Sequence, residues 1–319
     1  MGKIDKNKLQ MAYDLSSMAT YAKSNGQELI VDLITKSNLF APDNGLRVIQ
    51  GIKSTDKFAD IADGGTHLQK TSGDLSSLTP SGSTTLADID ISVTEIAVIE
   101  KYVKDTITSK ITQMLLKPGS DYSNELPYAD VLVDLKSKTI AKTNELHFWQ
   151  GSTSGTYNVF DGILQQLSDG GTPSGAASGM TTSNAISHVE AVIKAGLDLH
   201  PEWLTNTTYL YMSPAQFNTY RRAVYGLGST IDRESIVNNV VESFFVPGYD
   251  IKVISTAGLE GVNNIVFTRE NNFVVGTDLQ SEDDQFKFEY LNESLYWRLL
   301  AVYKLGAKVC RTDEVYYTT

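Results

Sequence analysis

Apolar residues recur along this chain with two different periods, and the points where the period changes divide it. In residues 9 to 37, Leu9, Ala12, Leu15, Met18 and Ala22 fall three to four apart. Leu29, Leu33 and Ile34 resume the spacing after Asn25-Gly26, which predicts two short amphipathic helices. Asn44-Gly45 then signals a turn. Phe58 and Ile61 on one side, and Ile89, Ile91 and Val93 in strict alternation on the other, predict strands flanking a long polar stretch. Between Gly64 and Thr85, 14 of 22 residues are Gly, Ser or Thr, and only Leu68, Leu75 and Leu78 are sizeable apolar residues, so this stretch has too little to bury by itself. An unstructured linker would have this composition. The strand patterns on both flanks favour an extended hairpin arm, whose tip needs a neighbouring surface to rest on.

The helical period returns at Ile107, Ile111, Met114 and Leu115 and stops at Lys117-Pro118-Gly119. A long helix is expected from Pro127, which suits a first turn because the N–H it lacks would have no partner there. Leu132, Leu135, Thr139, Leu146 and Trp149 are expected to form its core face, with Lys136, Lys138, Lys142 and Asn144 in water and Gly151 as its end. Residues 168 to 184 contain 11 Gly, Ser or Thr in 17 positions, with Pro173, and mark the best boundary between two lobes.

Beyond that boundary, Ile186, Val189, Ile193 and Leu197 predict a helix closed by Pro201, and Thr208 to Met212 a strand. Ser213-Pro214-Ala215-Gln216 has the form of a capping box opening a helix that carries Phe217, Tyr220 and Val224. Strands are expected at Tyr249 to Ile254, Asn264 to Phe267, Phe273 to Val275, Phe286 to Tyr290 and Leu295 to Leu299. The order of strand, helix and strand suggests a mixed α/β lobe followed by a strand-rich C-terminal part.

Composition narrows the function classes. At 319 residues, 41% apolar and 20% charged, the chain is long enough for two lobes or one large one. No apolar run is long enough to span a bilayer, and Met1-Gly2-Lys3-Ile4-Asp5-Lys6 has no apolar segment behind its charges, so the protein is expected to stay where it is made, without a membrane partner. Cys310 is the single cysteine, which excludes an intrachain disulfide, and its apolar, strand-like setting suggests a buried, inert thiol. A formal net charge of -11 argues against a phosphate-wrapping surface but is compatible with a container wall that does not hold its contents tightly.

Catalytic signatures fail one by one. Gly226-Leu227-Gly228 lacks the third glycine and the preceding strand of a dinucleotide fold, and no GxxxxGK[ST] phosphate loop occurs. Gly151-Ser152-Thr153-Ser154-Gly155 has Thr at the nucleophile position and follows a helix, so a polar turn is the better reading. His67, His147, His188 and His200 stand singly, without a second ligand at metal spacing. Glu282-Asp283-Asp284, with Asp278 nearby, lacks the glycine and terminal Glu of a calcium loop and reads as a solvated turn. The sequons at Asn206 and Asn292 are chance matches without a secretion signal. No cofactor, metal or enzymatic activity is expected.

One local pattern points elsewhere. The helix running through Asn144-Glu145-Leu146-His147-Phe148-Trp149-Gln150-Gly151, followed after a short polar turn by Phe160-Asp161-Gly162-Ile163-Leu164, resembles the junction after the spine helix of tailed-bacteriophage major capsid proteins of the Hong Kong 97-like fold. The order of parts resembles that family over most of the chain. The resemblance implies an α+β fold: N-terminal arm (1–50), extended loop (51–95), peripheral domain with spine helix (96–184), axial α/β domain (185–280) and C-terminal strands returning to the peripheral domain (281–319). It makes Pro127, Trp149, Gly151, Asp161 and Gly162 architectural residues, and places Lys53, Lys57 and Lys70 in the assembly loop.

By the same resemblance the chain would be a structural protein of the virion, assembled in the bacterial cytoplasm. Its partners would be itself, in pentamers and hexamers of an icosahedral shell, with portal, scaffold and decoration proteins. The shell would enclose double-stranded DNA without sequence-specific contacts. Some members crosslink Lys to Asn, but no spacing here indicates such a bond. The fused N-terminal scaffolding segment of some members is expected to be absent, because little sequence precedes the arm. An encapsulin-like cellular compartment shares the fold and would look alike; an α/β enzyme is the more distant alternative.

Overall fold

The computed structural model describes residues 44–65, 82–102, 127–174, 179–226, 243–278, 286–291 and 296–318. The predicted N-terminal helices, the helix expected at 107 to 115, the polar tip around Leu75 and the acidic cluster at Glu282 lie outside the described residues.

Three sheets organise the described part. The first is built on β12 (Tyr296–Val309), a strand of 14 residues. One edge of β12 pairs antiparallel with β11 (Phe286–Leu291) and then with β10 (Phe273–Asp278), while its other edge pairs antiparallel with β4 (Thr94–Tyr102). β1 (Leu46–Gln50) adds parallel to β10. The second sheet has the order β5 (Thr172–Pro173), β13 (Val315–Tyr317), β9 (Val266–Arg269), β6 (Thr208–Met212), β8 (Ile251–Ser255) and β7 (Ser243–Phe245). The third is the hairpin of β2 (Thr55–Gly65) and β3 (Gly82–Ser92), whose strands, among the described residues, pair only with each other. β1 and β4 were not foreseen from the sequence, and both are edge strands of the first sheet.

The long helix, α1 (Pro127–Gln150), begins at the expected proline and ends before Gly151. Its buried face differs in part from the expected one: Trp149 is buried as expected, and the side chains of Leu132 and Leu135 lie outside the described residues. Ser137, Ile140, Ala141, Asn144, Glu145, Phe148 and Trp149 are buried, whereas Thr139 is exposed and Leu146 only half-buried. Asn144, expected in water, is held inside because the Tyr303 hydroxyl on β12 donates to its Oδ1 at 2.6 Å. Glu145 is likewise held by the Thr256 hydroxyl, which donates to its carboxylate. Polar residues therefore line part of the core-facing side, their partners supplied by strands and loops more than 100 residues away.

A core forms where α1 meets the first sheet and the near face of the second. Ile140, Phe148 and Trp149 pack with Leu299, Ala301, Tyr303 and Leu305 of β12 and with Tyr211 and Phe273. A second cluster lies under α3 (Ala185–Leu199) and α4 (Pro214–Gly226), which pack Val189, Ile193, Phe217 and Tyr220 against Leu210, Val253 and Phe267. The second sheet thus carries apolar side chains on both faces, which explains why all five residues of β6 are buried. The expected capping box of α4 is present: the Gln216 amide donates to Ser213 Oγ at 3.3 Å and the Ser213 amide donates to Gln216 Oε1 at 3.2 Å.

Candidate functional site

The residues singled out in the sequence fall at two places, the junction after α1 and the root of the arm. At the junction the chain must stop a helix, turn, and start α2 (Ile163–Gly170) on the same spot. Gly151 and Gly162 make this possible by lying against each other and against the last turn of α1. The Gly151 amide donates to the His147 carbonyl at 2.9 Å, and the Gly162 amide donates to the Gly151 carbonyl at 2.8 Å. A Cβ on Gly151 would collide with the His147 and Phe160 carbonyls, and one on Gly162 with Gly151 N and the carbonyls of His147 and Phe148.

Asp161 closes the intervening loop. Its Oδ1 accepts from the Thr153 amide at 2.8 Å and from the Thr153 hydroxyl at 3.0 Å. The loop from Gly151 is therefore the polar turn expected, built on an Asp side chain that replaces missing backbone partners. Gln166 on α2 then ties the junction to β12: its amide nitrogen donates to the Asp161 and Ala307 carbonyls at 2.9 and 3.0 Å, and its oxygen accepts from the Val309 amide at 3.0 Å. Sequence reasoning missed Gln166. Its only visible signal was a Gln beside the apolar Ile163, Leu164 and Leu167.

Trp149 is fully buried, packed edge-on against Phe148 and Phe273 and tilted against Tyr211, with ring centroids 5.3 to 5.7 Å apart. Its indole N–H has no hydrogen-bond partner among the described residues. Gln150, the last residue of α1, donates through its amide nitrogen to the Gly258 and Glu260 carbonyls at 2.7 and 2.9 Å, and Lys142 pairs with Glu260 at 2.6 Å. The helix end is thus locked to the 3-10 turn Ala257–Leu259 that follows β8. Hydrogen bonding to Glu260 raises the Lys142 pKa above its ordinary value.

The root of the arm is equally specific. Ile52, Ile91 and Val274 form a small core with Val93 and Phe58 packed against it. It sits on the face of the first sheet opposite α1, over Gly276 and Gly306, which are direct cross-strand partners on β10 and β12. A Cβ at Gly306 would strike the Ser92 carbonyl, so the two glycines give the arm a flat floor. The Val93 amide donates to the Ser54 carbonyl at 2.9 Å, and Lys304 donates to the Lys53 carbonyl at 2.7 Å. The chain then passes directly from β3 into β4, which makes the arm an outgrowth of the first sheet.

The sequence-derived residues thus separate in space. Trp149, Gly151, Asp161 and Gly162 gather at the junction, with Pro127 at the far end of the same helix. Lys53 is exposed at the arm root, and Lys57 is exposed on β2, 3.4 Å from Asp90 and 4.0 Å from Asp88. Lys70 lies outside the described residues. Cys310 is half-buried beside the arm root, against the expectation of full burial, because β12 ends one residue earlier.

His147 Nδ1 lies 2.9 Å from the Thr143 carbonyl, and its ring packs edge-on against Tyr157. His200 stacks on Trp203 with centroids 4.7 Å apart. Among the described residues no group of three His, Cys, Asp or Glu side chains could hold a metal, and no helix is long and apolar enough to cross a membrane. An open groove of about 410 Å³ beside β7 is lined by Val224, Phe244, Phe245, Pro247 and Tyr249, with Arg221 as its charged residue and no acid–base pair among the described residues lining it.

No protein-family model matches the chain, and no curated protein matches it in sequence. Solved structures do match. A structure of Mycobacterium phage Ogopogo aligns at TM-score 0.59 and 11% identity over 86% of this chain and 89% of that one. The capsid of a native GTA particle aligns at 0.54 and 10% over 86% and 88%. A virus-like particle from Pyrococcus furiosus aligns at 0.50 and 8% over 92% and 96%. At these identities the likeness speaks for the backbone alone, but it extends over nearly the whole length of both chains. The chain therefore has the Hong Kong 97-like fold of tailed-phage capsids, with its mixture of helix and sheet and its two-stranded arm.

Proposed function

We propose that this chain is a structural shell subunit, the major capsid protein of a tailed phage, which assembles into pentamers and hexamers of an icosahedral shell around double-stranded DNA. The observation that supports this best is the arm: a two-stranded ribbon fixed at its root by a dedicated small core, yet paired along its length, among the described residues, with nothing but itself. An isolated hairpin is marginal in water, so a ribbon of this length gains by resting on another copy. The domain division expected from the sequence belongs to this proposal: arm 1–50, extended loop 51–95, peripheral domain 96–184, axial domain 185–280 and C-terminal strands 281–319. β10 and β13 each join the sheet of the other lobe. Pro127, Trp149, Gly151, Asp161 and Gly162 are proposed to hold the architecture, and Lys53, Lys57 and Lys70 to belong to the assembly loop. Portal, scaffold and decoration proteins are the further partners, and assembly takes place in the host cytoplasm.

A second reading, an encapsulin-like cellular compartment, is favoured by the match to the Pyrococcus furiosus particle. Expression of the full chain followed by light scattering and negative-stain microscopy tests the shell. Closed particles are the expected result, and a monomer under all salt and scaffold conditions would overturn the proposal. Particles purified from the native source decide between the two readings: phage DNA and portal support the first, a packaged enzyme the second.

A further inference from the structure

The two legs of the arm join the frame in different ways. The outgoing leg has no joint: β3 ends at Ser92 over Gly306, and after Val93 the chain enters β4, whose whole length pairs with β12. The incoming leg is jointed. β1 ends at Gln50, and Gly51 follows with φ +84°, a conformation that a glycine enters and leaves without steric penalty. Beyond the joint the leg is anchored by the buried Ile52 side chain and by a long hydrogen bond of 3.3 Å from the Ile52 amide to the Thr277 carbonyl. A shorter bond follows, 2.7 Å from Lys304 Nζ to the Lys53 carbonyl.

Lys304 stands between two carboxylates. Two residues from Gly306 and on the same face of the sheet, it is the direct cross-strand partner of Asp278 on β10 and of Glu95 on β4. Directly opposed residues project from one face with Cβ atoms ~5 Å apart, so a lysine between them can reach either side. Its ammonium is 3.5 Å from Asp278 Oδ2. Asp278 is 8% exposed, and its Oδ1 is buried without a hydrogen-bond partner among the described residues, whereas Glu95 is exposed. The ammonium that holds Asp278 and the Lys53 carbonyl has to leave both to meet Glu95, because the two acids lie on opposite sides of β12.

We propose that Lys304 is a two-position latch for the arm. On Asp278 it holds the Lys53 carbonyl and fixes the incoming leg. Swung to Glu95 it releases that carbonyl, and the leg turns at Gly51 about the Ile52 anchor while the outgoing leg stays paired with β12. Asp278 attracts the ammonium in a less hydrated setting than Glu95 does, which favours the closed position. The direction of the arm is thereby set by one side chain. The latch belongs to the single chain and stands or falls apart from the shell reading.

Hydrogen exchange on the full chain in dilute solution tests it, followed at the Ile52 amide and, as a control, along β4 and β12. Lys304→Met is expected to speed exchange at Ile52 at least about tenfold and to leave β4 and β12 protected. Asp278→Asn should act in the same direction, and Glu95→Gln, which removes the competing position, in the opposite one. A lysine that only packs the arm root would not make these two substitutions act with opposite sign. Unchanged exchange at Ile52 in Lys304→Met or Asp278→Asn, protection lost equally along β4 and β12, or a failure of Glu95→Gln to slow the exchange would each overturn the latch.

Discussion

The spine junction and the arm treat apolar side chains in opposite ways. At the junction Trp149, Phe148 and Ile163 are wholly buried, and polar groups such as Asn144 and Gln166 are held by partners from distant strands. Along the arm Leu86 lies open, Ile89 is half-buried, and Ile91 at the root is enclosed. The junction is a problem solved within one chain. Among the described residues the arm is packed at its base, and Leu86 farther out meets water. The proposed shell subunit would use both: a frame stable before assembly and a surface that becomes stable through it.

The contrast can be broken most directly at the junction. Trp149→Ala removes a fully enclosed ring from the meeting point of three elements and is expected to cost ~3–5 kcal/mol, read as a shift of the urea unfolding midpoint. Gly162→Ala forces a methyl group into three backbone atoms and is expected to cost ~1–3 kcal/mol in the same experiment, with a smaller effect if the turn can open. A loss under ~0.5 kcal/mol for either would mean that the junction is not the stabilising centre described here.

Alkaline pH separates the two regions by a third route. Burial pushes the Tyr303 hydroxyl up to about 12, partly opposed by its bond to Asn144, and burial also raises Tyr211 and Tyr220. An acid whose folded pKa lies above its unfolded value of ~10 favours the folded state fully below that value. The advantage disappears as pH rises from about 10 to about 12. Stability should therefore fall over that window by ~1 to 3 kcal/mol for Tyr303, and a Tyr303→Phe variant should fall less steeply in urea titrations at about pH 9 and about pH 11. Neither strand of the arm contains a tyrosine, so its local exchange should not share this dependence. The smallest effect belongs to Lys57→Ala, which removes an exposed pair with Asp90 and should change stability by less than ~0.5 kcal/mol.

How much of this was visible in the sequence follows from the range of each signal. Pro127, the strand at Thr208 to Met212 and the Ser213–Gln216 capping box were legible because each is specified by neighbours in the chain. The arm was legible for the same reason, through the alternation of Ile89, Ile91 and Val93 beside a polar tip. The face of α1 was misjudged because burial of Asn144 and Glu145 depends on Tyr303 and Thr256, which no local pattern reveals. β1 escaped notice because its five residues earn a place only by pairing with β10. β4 was hidden by apolar residues on both faces of the strand, Ile96 and Val98 on one and Ile99 on the other. At the junction, Gly151, Asp161 and Gly162 stood out as residue types, but their apposition required the fold, and Gln166 required the position of β12 as well.

The direct passage from β3 into β4 has a mechanical consequence. A pull on the arm along the chain reaches nine consecutive residue pairs between β4 and β12, which are loaded side by side. Hydrogen bonds sheared together resist far better than bonds peeled one after another. The arm is therefore fastened like a strap sewn along its length, and a pull on it is shared by the whole β4–β12 seam instead of opening it pair by pair.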